Sequence, residues 1–233
     1  MVLTTYAKVI WEDFVSLVFP NVCIGCSRSL VRHERYLCTL CMASLPTTNY
    51  HLTADNPIHP KFALFHCVDF ATAFMHFRKG GVAQKILYEI KYRGNVQLGI
   101  ALGTWLGESL RSDLKDYDLI VPTPIHPRKM RKRGFNQSIA IGKGLSNAIS
   151  VPLASDAVRR IKNTSTQTNK SKVQRLQNVA NMFEVDSETV LTGCSVIVLD
   201  DVITTGATLS YLCESLVHAG VDRIAVVAAA SGA

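Results

Sequence analysis

Residues 196–209 read Val196-Ile197-Val198-Leu199-Asp200-Asp201-Val202-Ile203-Thr204-Thr205-Gly206-Ala207-Thr208-Leu209. An apolar, β-branched run ends in two adjacent carboxylates, a short loop of hydroxyls and glycine follows, and an amphipathic helix then begins. Strands buried on both faces of a parallel sheet show little alternation, which is the character of this run. Ligands of open α/β sheets sit beyond the carboxyl ends of the strands, where Asp200 and Asp201 fall. Each carboxylate accepts two hydrogen bonds, which suits a vicinal diol. The free N–H groups opening the next helix, its dipole and the neighbouring hydroxyls suit a phosphate. The reading is a sugar-phosphate site.

A plainer reading makes this a strand–turn–helix unit in which Thr208 caps a helix and the aspartates hold the turn. All the parts occurring in order within fourteen residues favours the phosphate site. The motif resembles the PRPP-binding loop of type I phosphoribosyltransferases. That resemblance implies that Asp200 and Asp201 bind the ribose hydroxyls, while Thr204, Thr205, Gly206, Ala207 and Thr208 wrap the 5′-phosphate.

Working outward, a chain of 233 residues, 48% apolar, suffices for one α/β domain with a small appendage. The net charge of +7 allows an anionic partner without demanding one. No apolar stretch approaches a membrane span, and the N-terminus lacks the block order of a signal peptide. Residues 1–20 read as an amphipathic helix ended by Pro20, and the expectation is a soluble, cytoplasmic protein.

Four of the seven cysteines form Cys23-x-x-Cys26 and, after eleven residues, Cys38-x-x-Cys41. In a reducing compartment two such knuckles point to a structural zinc held by four thiolates, with Gly25 permitting the tight first turn. A redox pair is the competing reading; it needs one Cys-x-x-Cys at a helix start, not two knuckles. His33 stands between the knuckles and could replace a cysteine. Residues 46–60 read as a linker or an irregular crossing segment.

Beyond it, residues 61–78 contain strand-like stretches such as 63–70, and helices are predicted over 82–92 and 96–110. The second carries Gly99, Gly103 and Gly107, a spacing that predicts close helix packing on one face. Strand and helix then alternate: strand 118–122, helix 136–149, extended 154–159, strand 178–183, the motif strand, helix 207–219 and strand 223–229. That order predicts a parallel sheet with helical crossovers.

Two further segments carry charge. The strand ending at Pro122 leads into a proline-stiffened loop with Arg128, Lys129, Arg131, Lys132 and Arg133, five cations in six residues. Such runs are often solvated loops. Leaving the end of a strand, this one is positioned to converge on the Asp200 cleft and meet pyrophosphate or a nucleic-acid backbone. Residues 159–183 include Arg159, Arg160 and Arg175 in a long polar stretch that reads as a lid, with a floppy insertion as the alternative. Lys91 in Lys91-Tyr92-Arg93-Gly94 either complements a helix C-terminus or joins the cleft.

Taken together, the knuckles, Leu45-Pro46, Lys91-Tyr92-x-Gly94, Val121-Pro122-Thr123-Pro124-x-His126-Pro127, Arg133-Gly134-Phe135-Asn136-Gln137, Thr166…Arg175-x-x-Asn178 and the Asp200–Thr208 loop resemble the ComF family. The resemblance spans almost the whole chain. Thr123 departs from it, standing where Val-Pro-Val-Pro is expected. It implies a zinc ribbon in residues 1–46 and a type I phosphoribosyltransferase fold in 61–233, a parallel sheet with helices on both faces, its hood from about 61–80 and 150–185. It further implies PRPP with Mg²⁺, structural Zn²⁺, and a role in natural transformation through handling of single-stranded DNA, with a DNA-import helicase or translocase as a further partner. Basic residues with Tyr92 and Phe135 would supply charge and stacking to a strand. The alternative is an active, amidophosphoribosyltransferase-like enzyme without a DNA role. Asp200 and Asp201 would then hold the ribose while Arg133 steadies the leaving pyrophosphate. No residue is compelled to act as general base.

Overall fold

In the computed structural model, which describes residues 20–53, 55–161, 182–187 and 189–232, the apolar runs become strands. They are β1 (Val68–Phe77), β2 (Leu119–Pro122), β3 (Val158–Arg160), β4 (Phe183–Val185), β5 (Ser195–Ile203) and β6 (Arg223–Gly232). The helices are α1 (Thr39–Ala43), α2 (Val82–Arg93), α3 (Val96–Leu114), α4 (Pro127–Arg133), α5 (Gln137–Ile149) and α6 (Ala207–His218). Four strands form a parallel sheet in the order β1-β6-β5-β2, and β3 pairs antiparallel with β4. The central strands β5 and β6 lie between two apolar layers. Residues 196–199 and 224–230 are fully buried, which is why these runs carry no alternation.

One layer packs Ile86, Leu87 and Ile90 of α2, Leu98 to Leu114 of α3, and Ile141 and Leu145 of α5 against the sheet. The other packs Leu209, Leu212 and Leu216 of α6 with Phe62, Val158 and Phe183. The expected helices on both faces are present. The glycine spacing in α3 also has its predicted meaning, because a Cβ on Gly103 would sit 1.8 Å from the Ile141 carbonyl oxygen of α5. Gly144 of α5 reciprocates, with a Cβ 1.9 Å from the Ile100 carbonyl oxygen. Backbones approach this closely only where neither helix carries a side chain.

Both sheet edges are occupied. Outside β1, His76 N–H donates to Pro46 (2.7 Å), Thr48 N–H to Phe74 (3.0 Å) and Asn56 Nδ2 to Ala71 (2.6 Å). Outside β2, Ile120 donates to Pro152 and accepts from Ala154, each at 2.8 Å. At the amino ends of the strands Asp69 accepts from Tyr117 Oη (2.7 Å) and from both Nε (2.9 Å) and Nη2 (2.7 Å) of Arg223. This clamp ties β1 to β6 away from the Asp200 cleft.

Several expectations need correction. Of the strand-like stretch 63–70 only the last three residues are strand, and the strand runs on to Phe77. Pro60 lies in a 3-10 turn (His59–Phe62), and β1 begins only at Val68. Residues 68–77, expected within a hood, are the edge strand of the main sheet. The basic segment after Pro122 is a helix, because Pro127 starts it with φ already set and His126 Nδ1 accepts from Arg128 N–H at 3.1 Å. Helix α3 and strand β6 run further than expected, to Leu114 and Gly232. The predicted N-terminal helix over 1–20, apart from Pro20, and Arg175 with most of the predicted lid lie outside the described residues.

Candidate functional site

The site begins where β5 ends. Asp200 and Asp201 belong to the strand itself, which continues to Ile203 before Thr204–Gly206 turn the chain into α6. Gly206 caps that helix at φ +83, a left-handed conformation that requires glycine, while Thr205 Oγ1 accepts from Ala207 N–H at 3.4 Å. Asp200, Thr204, Thr205, Gly206, Ala207 and Thr208 line a cavity of about 50 Å³. That space admits a phosphoryl-sized group, so any larger ligand extends into the open cleft beside it.

Neighbours on one strand, the two acids find different partners. Asp201 pairs with Lys91 Nζ at 2.9 Å, the lysine reaching in from the end of α2. Asp200 faces the start of α5, where its Oδ1 accepts from Ser138 Oγ (3.2 Å) and from Asp201 N–H (2.8 Å). Burial, and then the adjacent Asp201 charge, push the Asp200 carboxyl up to about 7, against the opposing pull of the Asp201 N–H, Lys91 and Ser138.

The cations sort into those that reach the cleft and those that do not. Lys91 reaches it directly. Arg160 faces Asp200 closely enough to feel its charge, and its own guanidinium is partly desolvated over the Phe183 ring. Arg159, one residue earlier on β3, points the other way and pairs with Asp186 at 3.0 Å, 68% exposed. Arg133 Nη1 donates to Gln137 Oε1 at 2.8 Å, so it is anchored at the base of α5. Arg128, Lys129, Arg131 and Lys132 are exposed along α4. The His126 ring is pulled below its ordinary range by desolvation, then by Arg160, Arg128, Arg131 and Lys129, so α4 and β3 do converge.

Three neighbours of the site were not singled out in the sequence. Ser138 follows Asn136-Gln137 at the start of α5, and only the paired geometry of α5 and β5 brings its hydroxyl to Asp200. Lys61 and Phe62, at the start of the segment expected as a hood, pack on the Thr204–Thr208 loop, 3.4 and 3.5 Å from a Cβ built on Gly206. Gln137 Nε2 and Thr123 Oγ1 are buried without a hydrogen-bond partner among the described residues. Phe135, expected to offer a stacking face, instead packs on the core.

A second constellation lies in the knuckles. The sulfurs of Cys23, Cys26, Cys38 and Cys41 all lie within 4.8 Å of one another, and Cys26 and Cys38 are 3.7 Å apart. A tetrahedral metal with sulfur arms of about 2.3 Å would set sulfur–sulfur edges of about 3.8 Å. Cys23 is desolvated, yet N–H groups of Cys38, Cys26 and Gly25 bring its thiol down to about 6. Burial and the neighbouring sulfurs push Cys41 up to about 12. Four crowded thiols of this kind could hold a metal ion. Gly25 is needed here for space, since a Cβ would sit 2.7 Å from Cys41 Sγ. The module shares its core with the sheet: Cys23, Leu37 and Cys38 pack in one cluster with Met75 and Ile86.

Comparison with known proteins places this geometry in context. The phosphoribosyl transferase domain family matches residues 136–233, which contain Ser138, both acids and the Thr204–Thr208 loop. The DNA utilization protein YhgH of Escherichia coli K12 is 28% identical over 214 residues, 88% of either chain. Competence protein F of Haemophilus influenzae is 35% identical over 114 residues, covering 48% of this chain and 50% of that one. Competence protein ComFC of Bacillus subtilis is 23% identical over 201 residues, 86% of this chain and 79% of that one. No described helix is long and apolar enough to cross a membrane.

Proposed function

Because this chain belongs to the ComF family, with a phosphoribosyltransferase-like domain and relatives named for competence and DNA utilization, we propose that it binds PRPP and serves DNA uptake by handling single-stranded DNA in the cytoplasm. The carrying observation is that Asp200 and the Thr204–Thr208 loop line one cavity, with Lys91, Arg160 and Ser138 around the acids. In this reading the 5′-phosphate sits on the N–H groups and hydroxyls at the start of α6. The ribose hydroxyls bind Asp200 and Asp201, with Lys91 holding Asp201 in place. The pyrophosphate lies toward Arg160, the guanidinium that faces Asp200.

In this reading the zinc ribbon falls within 1–46 and the phosphoribosyltransferase-like domain within 61–233. The sulfur spacing and the four-thiol donor set suit structural Zn²⁺. Among the described residues that cysteine cluster is the one group of three or more ligating side chains. Mg²⁺ would enter with PRPP, beside the ribose that Asp200 and Asp201 hold, and supply charge neutralisation. A DNA-import helicase or translocase is the protein partner this role calls for.

A second reading, turnover, is favoured by the Asp200 carboxyl at about 7, because such a group can exchange a proton near neutrality. Calorimetric titration with PRPP and Mg²⁺, repeated with a short single strand, tests the first reading. Saturable binding lost in Asp200→Ala plus Asp201→Ala supports the pocket, and no binding by the unaltered protein refutes it. Release of pyrophosphate in the presence of amines or nucleobases would establish turnover.

A further inference from the structure

Outside the sugar-phosphate cleft, α2 presents Tyr88 and Tyr92 one turn apart, 51% and 63% exposed, with ring centroids 5.0 Å apart and planes inclined by 40°. Mutual helix support accounts for that spacing. It does not account for Arg133, which reaches from the end of α4 to lie 5.7 Å from the Tyr92 ring centroid. The aromatic surface continues past Tyr88 into a groove of about 710 Å³ against the cysteine module, lined by Ser27, Gln84, Lys85, Glu89 and Arg93. On the other side it meets α4, with Arg128, Lys129, Arg131 and Lys132 exposed and no acidic residue anywhere between Asp118 and Asp156.

We propose that Tyr88, Tyr92 and Arg133 form a base-stacking platform for single-stranded DNA, the strand's phosphates continuing along the cations of α4. This rests on the DNA-handling reading above and gives it a location. Exposed ring faces beside a planar guanidinium suit unpaired bases of any sequence, and a one-sign cationic helix suits the backbone. An uncharged protein partner would use the rings and leave the α4 charge without a counterpart. Lys91 lies between the two tyrosines in sequence and bonds Asp201, so the platform adjoins the sugar-phosphate cleft.

The test compares a labelled oligothymidine with an abasic strand of equal length and charge, binding to the full zinc-loaded protein. Stacking predicts that the abasic strand binds roughly tenfold more weakly. Tyr88→Ala plus Tyr92→Ala should weaken oligothymidine by a similar factor, abolish the preference and leave the salt slope unchanged. Tyr88→Phe plus Tyr92→Phe should behave as the unaltered protein does. Equal affinity of the unaltered protein for both strands would overturn the platform, as would a preference that survives in a folded alanine variant. Absence of binding to either strand would overturn the DNA-handling reading along with it.

Discussion

Replacing Asp200 by asparagine should make the ligand-free protein more stable while destroying its pocket. The Asp200 carboxyl rises from an ordinary 3.8 to about 7 in the folded chain. Between those values the folded state keeps a proton that the unfolded chain has released. Stability therefore falls as pH rises through this window, and the full penalty stands above pH 7. At about 1.4 kcal/mol per pH unit the ceiling is roughly 4 kcal/mol. Partial access of water to the half-buried side chain reduces this to about 2 kcal/mol. Asparagine preserves the oxygen that accepts from Ser138 and from the Asp201 N–H, and it never ionises. At pH 8, without ligand, the variant should melt roughly 4–8 °C above the unaltered protein. At pH 5 the gap should shrink to about a third, since most of the proton is then still bound. Thermal unfolding by circular dichroism at both pH values checks this, with PRPP and Mg²⁺ added in parallel to show the loss of ligand-induced stabilisation. A variant melting at or below the unaltered protein at pH 8, or a gap that widens toward pH 5, would refute the electrostatic account.

Other predictions address the scaffold and the cations. Gly103→Ala places a methyl 1.8 Å from the Ile141 carbonyl oxygen; urea titration should show a loss of about 3 kcal/mol or more. Tyr117→Phe removes a donor from Asp69 and should cost about 1 kcal/mol by the same measurement. Cys41→Ser should drop the zinc content measured by atomic emission well below one per chain and lower the melting temperature. Arg131→Ala with Lys132→Ala should reduce the slope of log affinity against log salt for single-stranded DNA by roughly 0.7 for each phosphate no longer neutralised.

The parts of this fold legible in the sequence are those with local causes. The β5 run, the Thr204–Gly206 turn into α6 and the glycine-spaced α3 each carry their reason within one segment, and the structure has all three. The α4 helix was hidden because a run of cations resembles a solvated loop. Its evidence lay in the His126-Pro127 start, a feature of two residues. The roles of Arg159 and Arg160 could not be separated before β3 was known to be a strand, where neighbouring side chains diverge. Lys91–Asp201 and Ser138–Asp200 are long-range pairs set by how α2 and α5 cross the ends of β5. Sequence spacing carries no trace of such crossings.

The occupied margins of the main sheet also bear on how the molecule meets its own copies. An open strand border is a template on which further chains add themselves, the first step toward fibrils or exchanged subunits. Here Pro46, Thr48 and Asn56 bond along one border and Pro152 and Ala154 along the other, taking up carbonyls and amides a newcomer would need. Strand addition to the main sheet therefore meets borders that the chain's own backbone already fills on both sides.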